Sequence, residues 1–527
     1  MKKKLHTKKK LTAFLLIAAL TTALPAAVFA AVRTDTAVVT TLYGGNIADL
    51  TQNDEYKAAD NFYSLSDTNI NRMASEHFQI IWGNNDTTNT INYDFIKGNL
   101  INLENIRSFY IEELEMKDIG VSVNPYITEK RKTNVYISNT GLSVFEDDWA
   151  YMSADSDGFG YLFLAPGAMR VDEPSWVLPH EMGHVFTYHQ GGNIHGAWYE
   201  ATANWFRDRY LGSEYYAYGG RTYGPTADFF APYLLNSSYY VPHMLNWYDT
   251  WPLFIYISEN PDNIDGLGME LMHKIFEYNQ PDNTSMYDTI ELLSGVDKKE
   301  ILAGMSRRMA TMDFTRQQYY LQRLDEALET EGNYAKIYTT LEAADQDGYQ
   351  TISGDRAPMQ TGFNIIPLSV DLSKAILKAD FVNTSTESGT DFRVSLVTET
   401  AGHTTRYSNI VSGSGTAEIS LLGDEKAAYL VVCATPDTIK NYVVDWDSKA
   451  TDTDTRYTYK VKISTSDYIP IKGDVNKDST LNELDIIAIM RHITGKHLIN
   501  DPTSFNNADY DQNGTVNMLD AISIMNG

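Results

Sequence analysis

His180-Glu181-Met182-Gly183-His184 decides how the large N-terminal part of this 527-residue chain folds. The pattern is H-E-x-x-H. On a helix, residues four apart share a face, so both imidazoles can reach one metal ion. Glu181 points to the neighbouring wall, where it can take a proton from an attacking water. Pro174 suits the start of this helix and Gly191-Gly192 its end. Pro179 must then sit in the first turn or kink it. Catalytic zinc needs a third protein ligand and an open position. Trp198-Tyr199-Glu200-Ala201-Thr202-Ala203-Asn204-Trp205 predicts a second helix that ends near Gly212. The turn from Gly191 to Gly196 brings it back antiparallel, with Glu200 facing the two histidines. His189 and His195 stay open as alternative ligands; otherwise they line the cleft or face solvent.

Upstream, Ser75-Glu76-His77-Phe78-Gln79-Ile80-Ile81-Trp82-Gly83 predicts a buried strand running into a turn. Lys132 to Ser138 and Tyr161 to Ala165 alternate as strands do. The stretch Gly160 to Ala165 is expected either at the sheet edge, pairing with an extended peptide, or as an ordinary core strand. From Trp176 to about Tyr278 the pattern is mostly helical. Tyr239, Tyr240, His243 and Tyr248 in that region are candidate oxyanion donors, although each is more often a packing residue. Trp247 to Pro252 is expected in the core. Asp297 to Thr330 is expected as one long, charge-laced helical stretch.

The polar stretch Ala344 to Asp355 marks a boundary. Beyond it, Asn364–Val370, Ala379–Val382, Phe392–Val397, Ala417–Leu422, Ala427–Ala434 and Tyr457–Ser464 are short strands separated by turn residues, the spacing of a β-sandwich. No catalytic constellation falls in this stretch. Thr465 to Lys472 connects it to the tail.

Two segments of the tail repeat 35 residues apart, one beginning at Asp474 and the other at Asp509. Calcium takes six to eight oxygen ligands, and a twelve-residue loop supplies them at this spacing. The first loop offers Asp474, Asn476, Asp478, Thr480, Asn482 and Asp485. The second offers Asp509, Asp511, Asn513, Thr515, Asn517 and Asp520. Thr480 and Thr515 give their backbone carbonyls. Leu481 and Val516 are placed to pair the loops. Gly514 fills the tight turn, and Ser479 takes that place in the first copy. Both loops end in Asp where an ordinary EF-hand ends in Glu, and each leads into an apolar helix.

Six lysines within Met1 to Lys10, an apolar run over Leu11 to Leu24 and the small residues up to Ala31 have the form of a secretory leader. The run is short for a membrane span, and no later stretch is apolar enough for one. Removing the leader takes away lysines and no acids, so the mature chain is more acidic than the formal −27 of the whole. Such a surface repels nucleic acid and anionic lipid. Cys433 is the only cysteine, which excludes an intrachain disulfide. The chain is expected to be multidomain α+β. A leader over 1–30 precedes a mainly helical domain with a small sheet over 36–345. A β-sandwich over 356–465 and an all-α, paired-EF-hand-like module over 473–527 follow.

The tail, Gly473 to Gly527, closely resembles a type I dockerin of bacterial cellulosomes. The resemblance implies two calcium ions and a cohesin partner on a scaffold protein, with Glu483-Leu484 and Met518-Leu519 helping to choose the cohesin. The W-x-E-x-x-A-x-W pattern of Trp198 to Trp205 resembles the third-ligand helix of gluzincin metallopeptidases. It implies a zincin-like domain in which His180, His184 and Glu200 hold one zinc ion and Glu181 is the general base. The interval from His184 to Glu200 is shorter than in thermolysin-like enzymes. The metzincin pattern fails, because Thr187 and Gln190 stand where it needs Gly and His. More loosely, the H-F-x-I-x-W-G opening at His77 and the H-E-x-x-H helix resemble a poorly characterised family of secreted bacterial and plant proteins. The expected function is a secreted, cellulosome-bound zinc metallopeptidase acting on proteins or glycoproteins. The rivals are a glycan- or cell-wall-binding module with structural zinc, and a hydrolase of plant-wall glycoproteins or esters.

Overall fold

The computed structural model describes residues 41–44, 55–171, 174–216, 230–282, 284–331, 337–441, 455–467 and 470–526. The leader expected over Met1–Ala30 lies outside them. In chain order, β1 (Thr41–Gly44), β2 (Tyr56–Lys57), β3 (Ile70–Ala74), β4 (Phe78–Gly83), α1 (Tyr93–Glu112), β5 (Lys130–Arg131), β6 (Thr133–Ile137), β7 (Ala150–Ala154) and β8 (Gly160–Leu164) form the N-terminal layer. Six of the strands make one sheet in the order β1-β3-β4-β6-β8-β7, and β2 pairs separately with β5. The central pairs β4–β6 and β6–β8 are parallel, and β7 runs antiparallel to β8.

Alternation along each strand sends successive side chains to opposite faces. Ile80, Val135, Ile137, Leu162 and Leu164 meet the helices. Ile81, Tyr136, Tyr161 and Phe163 meet a smaller aromatic cluster with Tyr63 and Leu142. With both faces covered, β8 is buried along its whole length. The structure therefore corrects one alternative for Gly160 to Ala165. That strand is internal, and β7, half-buried throughout, is the outermost strand on this side.

Under β7 and β8 lies α2 (Val177–Gln190), and α3 (Ala197–Leu211) packs against α2. Beyond them come α4 (Phe230–Leu235), α5 (Pro252–Glu259), α6 (Met269–Glu277), α7 (Met286–Ser294), α8 (Lys298–Met309) and α9 (Gln317–Glu331). The stretch Asp297 to Thr330 is two helices rather than one. The chain turns at Met312, in the left-handed region at φ 51°, where Arg308 donates to both the carbonyl and the carboxylate of Asp313.

Nine strands follow: β9 (Gln350–Thr351), β10 (Phe363–Pro367), β11 (Ile376–Asn383), β12 (Phe392–Thr400), β13 (Thr405–Tyr407), β14 (Val411–Ser412), β15 (Gly415–Ser420), β16 (Glu425–Ala434) and β17 (Tyr459–Ser466). They form two antiparallel sheets, β10-β16-β12-β13 with β14 on β12, and β15-β11-β17-β9. One core lies between them, with Leu377 and Phe381 from one sheet against Val394 and Leu430 from the other. The stretch expected as a boundary contributes β9 to the second sheet. The outer face of the first sheet belongs to the helical part, since Phe363, Ile365 and Cys433 sit in the same core as α8. Arg393 pairs with Glu300 at 2.7 Å, and Lys299 with Asp391 at 2.9 Å, across that junction.

The tail has its own small core, built on Val475, Ile489, Ala508, Val516 and Ile524. Its helices are α10 (Glu483–Ile493), α11 (Pro502–Ala508) and α12 (Met518–Asn526). Among the described residues no bridge joins Leu481 to Val516. Val516 is buried, while Leu481 stays 40% exposed.

Candidate functional site

Pro179 falls in the first turn of α2, where a missing N–H costs nothing. Its carbonyl accepts from the Tyr110 hydroxyl at 2.8 Å. Gly191, in the left-handed region at φ 92°, ends the helix. Gly183 lets α3 come close. A Cβ there would stand 3.0 Å from Cβ of Phe206 and 3.1 Å from Cα of Ala203. This close approach carries Glu200 across to the two histidines.

Oε2 of Glu200 lies 3.2 Å from Nε2 of His180 and 3.5 Å from Nε2 of His184. Four ligands arranged tetrahedrally at about 2.0–2.1 Å from zinc stand roughly 3.3 Å from one another, so these separations fit such a centre. Proton placement agrees. Nδ2 of Asn204 donates to the backbone carbonyl of Tyr248 at 2.6 Å, and a carbonyl can only accept. Oδ1 of Asn204 therefore faces His180 and accepts from its Nδ1–H at 2.7 Å. His180 then meets the Glu200 carboxylate through Nε2: as an imidazolium it donates a second hydrogen bond there, and as a neutral ring it directs its lone pair toward a cation held between the two. A histidine ligand oriented through its second nitrogen is the usual outer support of a metal site. The Tyr199 ring stacks on His184 at 4.3 Å and fixes its plane.

Burial pushes the Glu200 carboxyl up. Hydrogen bonds and positive charge from His180 and His184 more than reverse this and hold it well below the usual carboxylate range. The Tyr248 phenol is pushed well above its usual value, first by burial and then by the negative charge of Glu200, to which it hydrogen-bonds. It stays a protonated donor.

These side chains line a cavity of about 630 Å³ together with Glu181, Trp149, Tyr151 and Met152 from the β7 side, and Trp176 and Arg207. Tyr248 is the only one of the four oxyanion candidates to line it. Tyr239 and Tyr240 instead pack against His243, one ring tilted and the other edge-on. Of the alternative ligands, His189 uses both ring nitrogens elsewhere, on the Val121 carbonyl and the Gly160 N–H. Burial pushes it down to about 4. His195 is bound to the carbonyl of Gln280. Neither belongs to the cluster. Asn204, Gly183 and Tyr199 carry no motif of their own in the sequence. The available signal was position, because Asn204 lies four residues after Glu200 on the same helical face.

In the tail the two loops repeat in detail. Asp474 accepts from the N–H groups of Asp478 and Ser479, and Asp509 from those of Asn513 and Gly514. Asp485 accepts from Val475, Asn476 and Asn482, and Asp520 from Asp511 and Asn517. Asn482 and Asp485 also form the capping box of α10, so the end of the first loop is the start of the helix. Carboxylate oxygens of Asp509, Asp511 and Asp520 lie within 4.8 Å of one another. An all-oxygen set suits a hard cation such as calcium. Asn476 in the first loop and Asn513 in the second each donate to the neighbouring Asp, 478 or 511.

The fold and its repeated loops define a modular protein ending in a scaffold-docking domain. Residues 472–526 match the type I dockerin domain. Residues 37–468 match a family of unknown function, DUF6055. That match spans most of the sequence, and the chain belongs to this family. No curated protein matches it. A type I dockerin binds calcium and pairs with a cohesin domain of a scaffold protein, as in extracellular cellulosomes. Among the described residues no helix is long and apolar enough to cross a membrane.

Proposed function

We propose that the chain is a secreted, cellulosome-associated zinc metallopeptidase that hydrolyses peptide bonds of proteins or glycoproteins. His180, His184 and Glu200 are its zinc ligands and Glu181 its general base. The observation that carries this is the convergence of two imidazole nitrogens and one carboxylate oxygen in a cavity that also holds Glu181. Zinc held there supplies Lewis acidity toward the scissile carbonyl. Glu181 takes a proton from the attacking water and passes it to the leaving amine. Tyr248 donates its hydroxyl hydrogen to the oxygen on which negative charge develops. β7 offers an extended substrate a strand to pair with. The likeness of Trp198 to Trp205 to a gluzincin ligand helix supports the same chemistry, and the leader together with the dockerin supports secretion.

Glu181→Gln should keep zinc and lose on the order of 10²–10⁴-fold in chelator-sensitive protein hydrolysis. Hydrolysis at the wild-type rate in that variant refutes the assigned role. One observation favours a second reading, a non-catalytic glycan- or wall-binding module. Trp149 lines the cavity and is 55% exposed, and an exposed indole suits sugar stacking. Glycan-array binding by a zinc-loaded protein that cleaves nothing would select that alternative.

A further inference from the structure

We propose that Asn513 is a deamidation site, masked while the second tail loop holds calcium and opened when the ion leaves. Asn513 is followed by Gly514, where the first loop has Asp478 followed by Ser479. Asparagine is one of the chemically labile residues. Before glycine its side chain is open to attack by the glycine's own backbone nitrogen, because no Cβ hinders the approach. A Cβ on Gly514 would meet nothing within 4 Å, and both residues are exposed to water.

The folded loop holds each group of that reaction away from it. The N–H of Gly514 donates to Oδ2 of Asp509 at 2.7 Å, so a carboxylate keeps the proton on the nucleophile. Oδ1 of Asn513 accepts from the Thr515 N–H at 2.9 Å, and its Nδ2 donates to Asp511 at 2.8 Å. The Asn513 N–H is held by Asp509 and Asp511. Carboxylate oxygens of Asp509, Asp511 and Asp520 lie within 4.8 Å of one another. Bound calcium offsets their repulsion. When it leaves, the carboxylates push apart and release the hydrogen bonds that fix Asn513 and Gly514.

The Gly514 nitrogen then gives its proton to a solvent base and attacks Cγ of Asn513. The new N–Cγ bond closes a cyclic imide, the Cγ–Nδ2 bond breaks, and the departing nitrogen takes up a proton and leaves as ammonia. Water opens the ring at either carbonyl. Breaking the new N–Cγ bond yields aspartate. Breaking the original peptide bond yields isoaspartate, whose main chain runs through Cγ and is one carbon longer. The first loop shows how aspartate is received. Oδ1 of Asp478 takes the Thr480 N–H at 2.8 Å, just as Oδ1 of Asn513 takes that of Thr515. Isoaspartate instead lengthens the chain between Asp511 and Asp520 and spoils the spacing on which a twelve-residue calcium loop depends.

The test ages the full-length protein in mildly alkaline buffer, with calcium or with a calcium chelator. Mass spectrometry follows the peptide that contains residue 513, and an isoaspartyl methyltransferase assay counts isoaspartate. Conversion at Asn513 should run about tenfold or more faster in chelator, since free calcium at about 100 times its Kd suppresses the open loop about 100-fold. Gly514→Ser copies the first loop and should slow conversion in chelator severalfold. Asn513→Asp should still bind calcium in both loops, whereas the isolated isoaspartate fraction should bind it in the first loop only. Equal rates with and without calcium overturn the proposal, and this comparison needs no variant. It is equally overturned if Asn513 stays an amide in chelator while a synthetic peptide spanning Tyr510 to Asn517 deamidates in the same buffer. Gly514→Ser converting as fast as the unaltered protein would rule out attack by the Gly514 nitrogen.

Discussion

The calcium loops of the tail and the proposed zinc site of the cavity are built in opposite ways. Each tail loop takes its side-chain ligands from twelve consecutive residues, and the buried Asp474 and Asp509 are already held by their own loop N–H groups. The cavity site takes donors from two helices that meet only because Gly183 lets them touch. A contiguous site depends on local backbone shape. A bridging site depends on tertiary packing and on supporting side chains. The two should therefore fail differently.

Removing calcium is the largest perturbation. The loops bring three carboxylates each into a small module whose core is only a handful of residues. Without the ion those charges repel one another. A calcium chelator should abolish cohesin binding while leaving the helical core around α2 and α3 folded. Surface plasmon resonance and circular dichroism read the two outcomes separately, and cohesin binding that survives full calcium removal would break the contrast.

A smaller effect is expected where the support of the bridging site is cut. Asn204→Ala removes the acceptor that fixes the His180 tautomer. Losing such outer support typically costs 10–100-fold in metal affinity. Competition with a zinc-binding dye measures it, and calcium binding in the tail should not change. The smallest effect is local to one loop. Ser479 holds φ 66° where its counterpart is Gly514. Ser479→Gly relieves that strain and should stabilise the calcium-loaded tail by about 0.5–1 kcal/mol. Thermal melting of the tail against the unaltered protein would show it.

The same contrast explains what could be read in advance. The loop ligands are spaced along the chain, and the two helices with their histidines and Glu200 follow from four-residue periodicity and a glycine turn. Asn204 has no such signature, because its partners, His180 and the Tyr248 carbonyl, are brought to it only by the fold. The edge strand is a similar case. β8 is the more apolar run, but continuous apolarity marks a strand covered on both faces, and the less apolar β7 takes the outer position. The junction between α8 and the β-rich part was hidden for the same reason. Pairs such as Arg393 with Glu300 are far apart in sequence and leave no periodic trace.

Counting metals in the purified, full-length protein tests the account most directly. One zinc and two calcium ions per chain are predicted, falling to no zinc and two calcium ions in Glu200→Ala. A chain that carries no zinc, or a Glu200→Ala variant that keeps it, would contradict the assignment of His180, His184 and Glu200 to one ion.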